Sequence, residues 1–263
     1  TARERGVAID ADLYPYTAAS NPLKNLMPPW LQEGGVGEML ARLGEPELRA
    51  RIKHEVGRAG LNNFGRIPSW DAIRISISPN QQHYGGRTIT DIATERGADP
   101  FDTVLDYIVE DRGQTRVLVD SISEDDVRAS IASPSVLFGS DGNSVAPYGP
   151  TGQGMPHPRF YGTFARVLGH YVRDLGLLPL EHAVHKMTGA SAVALGLADR
   201  GLLREGWAAD LTVFDPATIA ERATFDDPHQ FAEGIAQVIV NGEIVLNDGE
   251  HTGATPGQAL ARI

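Results

Sequence analysis

The 263-residue sequence has no cysteine. That excludes disulfides, thiolate nucleophiles and any cysteine-based zinc site, and it fits a reducing compartment, so a cytoplasmic location is expected. Basic charge is also scarce: 23 Lys and Arg stand against 34 Asp and Glu, a net charge of −11. Nucleic acid and membrane surfaces, which select clustered cations, are therefore not expected partners. No apolar run approaches the roughly 20 residues that a membrane-spanning helix needs. A phosphate-binding Gly-x-x-x-x-Gly-Lys-Ser/Thr loop, a Gly-x-Ser-x-Gly nucleophile elbow and a His-Glu-x-x-His pair are all missing. There is no internal repeat and no low-complexity segment.

What remains is an ordinary globular composition, 41% hydrophobic and 22% charged, long enough for one large domain or two smaller ones. The chain opens Thr1-Ala2-Arg3-Glu4-Arg5-Gly6, which reads as a helix end capped by Gly6 running into a strand, as if inside a larger protein. Strands are expected at 7–14, closed by Pro15, and at 72–77, 116–119, 135–140, 210–215 and 237–245. Thr17 to Asn21 reads as a polar turn. Asn241-Gly242 is a hairpin turn, because both residues tolerate positive φ. Helices are expected at 37–43, 45–57, 88–96, 100–112, from Ser123, at 163–175, and from Pro179 through Met187 to about 195. Ser123 is an N-cap with acids in the positive first turn. A long Gly- and Pro-rich loop, 142–158, separates two of these elements, and loops of that length inside a compact domain are usually functional or disordered.

Chemistry concentrates around one stretch, Val136-Leu137-Phe138-Gly139-Ser140-Asp141-Gly142. A short apolar run that stops at a small acidic turn is how a buried parallel strand delivers a carboxylate to the working end of a sheet or barrel. An ordinary surface turn is the competing reading. Asp141 is the candidate general base or metal-side carboxylate, with flanking glycines that let a ligand approach. After the loop comes His157-Pro158-Arg159, whose guanidinium fork suits a substrate carboxylate, against the alternative of a surface ion pair. Tyr14-Pro15-Tyr16 ends the other parallel strand, where tyrosines bind ligand or pack the rim. Ser20 is a weaker candidate. His182 and His185 lie three apart on a helix, but no ligand set surrounds them; His54, His83, His170, His229 and His251 are scattered. Nothing here builds a closed zinc site.

These pieces stand in a familiar order: Asp12-Leu13-Tyr14-Pro15-Tyr16-Thr17-Ala18-Ala19-Ser20, Phe138-Gly139-Ser140-Asp141-Gly142, and His157-Pro158-Arg159-Phe160-Tyr161-Gly162-Thr163-Phe164. Lys186-Met187-Thr188-Gly189, Gly206-Trp207-Ala208-Ala209-Asp210-Leu211 and Val240-Asn241-Gly242 follow. Over nearly its whole length the sequence resembles the C-terminal half of the N-acyl-D-amino-acid deacylases of the amidohydrolase superfamily. The resemblance implies an α/β fold: the C-terminal part of a metal-dependent-hydrolase βα (TIM-type) barrel with a helical insertion and C-terminal β-sandwich strands. Residues 1–20 and 116–198 would supply barrel strands seven and eight with their helices, 21–115 a mobile insertion, and 199–263 strands of the small sandwich.

It further implies hydrolysis of an N-acyl-D-amino acid by a zinc-activated water. Asp141 would be the general base and a candidate secondary ligand of Zn2+, while Tyr14, Ser20 and Arg159 would hold the α-carboxylate and select the D-enantiomer. The principal metal ligands of that family, a His-x-His, a Cys and two later His, have no counterpart here and are expected upstream of Thr1. This chain alone is therefore expected to be inactive, and to need the N-terminal half of the barrel or self-association to cover its open strand edges. A non-catalytic fragment or acyl-amino-acid-binding module, and a dihydroorotase- or hydantoinase-like hydrolase, stay open as alternatives.

Overall fold

The computed structural model describes residues 3–7, 9–59, 67 and 69–260. After a 3-10 turn at Arg3–Arg5, Gly6 takes φ +75°, as the helix-end reading requires. Strand β1 is only Ala11–Leu13, shorter than expected, and β2 follows at Ala18–Pro22 where a polar turn was expected. The correction has a tertiary cause. Ala18 and Ser20 are small enough to lie buried against a neighbouring strand, and pairing overrides their weak strand preference.

Two helices, α1 (Val36–Leu43) and α2 (Pro46–Ala59), then precede β3 (Ile73–Ile77). Helix α3 (Ile89–Arg96) opens on a capping box in which Thr88 and Asp91 satisfy each other's backbone donors. Helix α4 (Pro100–Glu110) opens on Asp99, whose carboxylate accepts from Phe101 and Asp102. Strand β4 (Arg116–Asp120) leads to α5 (Glu124–Ala132), capped by Ser123 as expected, and then to β5 (Val136–Phe138).

The loop after β5 holds only a single 3-10 turn, at Gly149–Thr151. Helix α6 (Arg159–Arg166) starts four residues earlier than expected and runs on as a π-helical stretch, Val167–Asp174. The expected helix from Pro179 is two, α7 (Leu180–Met187) and α8 (Gly189–Leu195), broken at Thr188. Strands β6 (Leu211–Phe214), β7 (Ile235–Val240), β8 (Glu243–Asn247) and β9 (Glu250–His251) close the chain. Asn241 and Gly242 join β7 to β8 with φ +48° and +82°, the hairpin expected from their types.

Among the described residues the strands form three sheets. β1 and β5 are parallel, with Leu13 opposite Phe138. β4 is the centre of an antiparallel sheet ordered β2-β4-β3, and β6 to β9 form an antiparallel meander. The division expected at 115/116 therefore cuts a hydrogen-bonded sheet. Val117 and Val119 of β4 lie in one core with Leu23, Met39, Ile75, Ile108 and Tyr107, among α1 to α4. A second core gathers Val127, Ile131, Phe138, Tyr171 and Ile219 around β5 and α5 to α7. The functional candidates sit where the two cores meet.

Candidate active site

Because β1 and β5 run parallel and in register, the chain leaves both at the same end. Gly139 N–H donates to Leu13 O at 3.1 Å, so Tyr14 and the Gly139-Ser140-Asp141 turn emerge side by side. A Cβ at Gly139 would stand 3.0 Å from Asp12 Oδ2, so a larger residue there would have to push that exposed side chain aside. Asp141 adopts φ +44°, a left-handed conformation uncommon outside glycine and better tolerated by Asp than by most residues.

Arg159 meets this turn from the start of α6. Its Nε donates to Asp141 O at 3.0 Å, and its Nη2 pairs with Asp141 Oδ2 at 2.7 Å. The guanidinium carbon lies 4.4 Å from the centre of the Tyr14 ring, a cation–π contact. The surface-ion-pair reading holds for only one partner: Arg159 is 3% exposed, whereas the Asp141 side chain is 71% exposed. Arg159 Nη1 is buried, with no hydrogen-bond partner among the described residues. A buried donor without an acceptor costs about 1–3 kcal/mol, more on a charged group. Burial first, then the cation Arg116, hold the Arg159 pKa below its usual value against the opposing pull of Asp141 and Tyr14. Burial likewise raises the Tyr14 phenol.

His157 aims the arginine. Its Nδ1 accepts the Arg159 backbone N–H at 3.0 Å, which puts the ring proton on Nε2, and Nε2–H donates to Ala18 O at 2.9 Å. The ring is fully buried, edge-on to Tyr16 and Phe225 with centroids 5.0 Å away in each case. Burial, reinforced by Arg159 and Arg166, drives its pKa down to about 3. His157 is a neutral clamp and not a proton donor at neutral pH.

Sequence reasoning missed this role, although the His-Pro-Arg run was its signal. It also missed a half-buried polar knot behind the clamp. Tyr16 Oη donates to Glu221, which pairs with Arg166 Nη1 at 2.9 Å, and Arg166 Nε donates to Pro15 O at 2.8 Å. Burial and the Glu221 charge push the Tyr16 phenol far above its usual range. Glu221 lies in an irregular stretch after β6, where no periodicity announces a function.

Of the expected set, the structure brings Tyr14, Asp141 and Arg159 into one cluster. Ser20 is 7% exposed on β2, opposite Leu118, and makes no hydrogen bond to any of the three. Among the described residues no group of three or more His, Cys, Asp or Glu is placed to hold a metal ion. His182 and His185 are exposed on α7.

Residues 71–246, which include Asp141 and Arg159, match the model of the amidohydrolase family. The chain belongs to that family. A D-aminoacylase of Alcaligenes xylosoxydans xylosoxydans is 46% identical over 177 residues, 67% of this chain and 34% of the relative. An N-acyl-D-aspartate deacylase of the same organism is 44% identical over 177 residues, 67% of this chain and 33% of that protein. A solved D-aminoacylase structure, described for its binuclear metal centre, superposes with a TM-score of 0.71 at 35% identity, covering 96% of this chain and 43% of that one. This amidohydrolase chain thus spans about a third of the length of the curated relatives it matches.

Proposed function

We propose that the whole protein hydrolyses the amide of N-acyl-D-amino acids to a carboxylate and a free D-amino acid. This chain would supply the proton-carrying carboxylate and the anion clamp. The observation that carries the reading is the Asp141–Arg159 cluster at the ends of two parallel strands, with one guanidinium nitrogen buried and unpartnered. A site that leaves a buried cation's donor without an acceptor is shaped for an anion that arrives from outside. The α-carboxylate of an acylated amino acid meets that need at Nη1, while Nη2 keeps its hold on Asp141. Tyr14 packs on the guanidinium face, and Ser20 would line the pocket from β2.

Asp141 is exposed and its carboxylate is anchored on one oxygen, so the other is open to the scissile bond. In the proposed reaction that carboxylate takes a proton from the attacking water and passes it to the leaving amine. The relatives' metal centre raises the question of zinc. The described residues do not fit a metal site by themselves, so its ligands would come from elsewhere in the whole protein, and no step above depends on it.

The same reading makes β1 and β5 neighbouring strands of a βα barrel, and the β6–β9 meander one sheet of a small sandwich. No strand residue of that meander is buried, although β7 and β8 carry Ile, Val and Leu. A sheet with that composition needs a cover. The test is the full-length protein assayed with N-acetyl-D- and N-acetyl-L-amino acids. Turnover of D-substrates only, lost at least about 1,000-fold in Asp141→Asn, is expected of an essential proton carrier. No hydrolysis of any N-acyl-D-amino acid would overturn the reading, and a non-catalytic binding module would take its place.

A further inference from the structure

The carboxylate that carries the proton stands on a weakly supported piece of chain. β5 ends at Phe138, and the last ladder contact is Gly139 N–H to Leu13 O. Beyond it Asp141 takes φ +44° and is followed by Gly142. The left-handed region is sparsely populated by residues with a side chain, and such a conformation persists only where the surroundings over-determine it. The turn's own hydrogen bond, from Gly142 N–H to Ser140 Oγ at 3.2 Å, does not involve Asp141. The Asp141 side chain is exposed, so packing does little to choose its rotamer.

Arg159 supplies what the turn lacks. Its Nε donates to the main-chain O of Asp141 at 3.0 Å, and its Nη2 pairs with Oδ2 at 2.7 Å. Among the described residues no other group hydrogen-bonds to Asp141 or pairs with it. The first contact fixes the peptide plane that follows Asp141, and the second fixes the carboxylate relative to that plane. Backbone and rotamer are thus set together by one planar group. The guanidinium itself is held firmly. Arg159 is buried, its N–H donates to His157 Nδ1 at 3.0 Å, and its O accepts from Thr163 Oγ1 at 2.9 Å. The guanidinium carbon lies 4.4 Å from the Tyr14 ring centre and 5.7 Å from that of Phe160. Gly142 lets the turn rest on the same helix start, where a Cβ would stand 3.3 Å from Phe160 Cα. A buried, bonded cation carries an exposed acid.

We propose that Arg159 is the positioning residue of the proton carrier, acting through Asp141 on the chemical step as well as receiving the α-carboxylate. This rests on the deacylase reading and deepens it. Nε and Nη2 hold Asp141 while Nη1 faces the anion, so base and substrate are both placed by one rigid fork. Loss of the guanidinium then misplaces the base even when the substrate has no carboxylate to bind.

The experiment uses the full-length protein, native and with Arg159→Lys or Arg159→Gln. The substrates are N-acetyl-D-leucine and N-acetyl-D-leucinamide, which keeps the scissile amide but lacks the α-carboxylate. On N-acetyl-D-leucine, Arg159→Lys should lower kcat about 100-fold, the scale of an ångström's misplacement of a reacting group, beyond any rise in KM. Lysine keeps the charge but cannot span the carbonyl and the carboxylate with a planar fork. On N-acetyl-D-leucinamide, Arg159→Gln should lower kcat/KM by a similar factor, and kcat of Arg159→Lys decides where that turnover is too slow to read. A crystal structure of Arg159→Gln should show the Asp141 carboxylate moved by about 1 Å or more. If Arg159→Gln does not fold, Arg159→Lys serves for the structure too. A native kcat with only a raised KM in Arg159→Lys, or unchanged N-acetyl-D-leucinamide turnover in Arg159→Gln, would overturn the assignment. If the native protein hydrolyses no N-acyl-D-amino acid, the deacylase reading fails. The variant's crystal structure then decides the positioning by itself: it stands if Asp141 shifts, and falls if φ and carboxylate stay where the native protein has them.

Discussion

Acid should loosen this protein through His157 before it does so through any carboxylate. The imidazole is fully buried and neutral, with a pKa near 3 against 6.5 for a free histidine. Between those two values the unfolded chain binds a proton that the folded chain refuses, so stability falls as pH falls through that window. The slope is about 1.4 kcal/mol per pH unit, which gives a loss of about 2 kcal/mol from pH 7 to pH 5. The carboxylates held below their usual range, Asp91, Glu95 and Asp99, lose their contribution only at lower pH, since their free values are 3.8, 4.5 and 3.8. The measurement is the urea midpoint of the native protein, His157→Asn and His157→Gln at pH 7 and pH 5. Asn keeps an acceptor where Nδ1 meets the Arg159 N–H, and Gln keeps a donor that can reach Ala18 O. Both variants start less stable at pH 7 and should lose almost nothing further by pH 5. If either falls by the same 2 kcal/mol or so as the native protein, the acid sensitivity lies elsewhere and His157 is not the buried neutral clamp described here.

Lys186 is buried, and its Nζ donates to Ile131 O at 2.7 Å and Ser133 O at 2.8 Å, tying α7 to the end of α5. Lys186→Met fills the space but strands both carbonyls, and should cost about 2–3 kcal/mol in chemical denaturation with little change in KM. Gly162 lies under the polar knot, where a Cβ would stand 2.5 Å from Glu221 Oε1, a carboxylate already held by Tyr16 and Arg166. Gly162→Ala should therefore displace Glu221 and raise KM, and an alanine variant with native KM and melting temperature would count against the knot as a support of the clamp. This chain on its own should bind an apolar dye or self-associate, because Val193, Leu195 and Leu203 are 81%, 63% and 84% exposed. A monodisperse, dye-silent monomer in light scattering would refute that.

How much of this was legible beforehand depended on whether the cause was local. Asp141 could be found because an apolar strand, a glycine and an acid are consecutive, and the Asn241-Gly242 hairpin and the Thr88, Asp99 and Ser123 caps are equally local. Arg159 could be found from His-Pro-Arg, but its burial could not, since nothing in those three residues shows what will cover them. β2 was hidden because Ala18-Ala19-Ser20-Asn21-Pro22 has turn composition, and only β4 makes it a strand. Glu221 was hidden more deeply. It acts on Tyr16, 205 positions away in sequence, and no periodic pattern marks it.

The seam between the two cores explains why the clamp is built from so many separate stretches. Arg159 stands at the start of a helix in one core, yet His157, two residues before it, is bonded to β2 of the other. Met155 is bonded to β3 of that same sheet, so the chain is stitched to the sheet at two points just before the guanidinium is reached. Glu221 closes the arrangement from the tail, holding Tyr16 and Arg166 on the far side of the His157 ring. A shift of the β2-β4-β3 sheet relative to β1 and β5 would move Ala18 O, and with it the ring that fixes the Arg159 backbone. Position of that sheet and position of the guanidinium are thus one variable, not two. An anion held by Arg159 is thereby coupled through the His157 ring to the position of the β2-β4-β3 sheet, so anion binding and the placement of that sheet depend on the same contacts. Anion-dependent protection of the β2 amides from hydrogen exchange in the full-length protein is the expected signature, and equal exchange with and without N-acetyl-D-glutamate would separate the two motions.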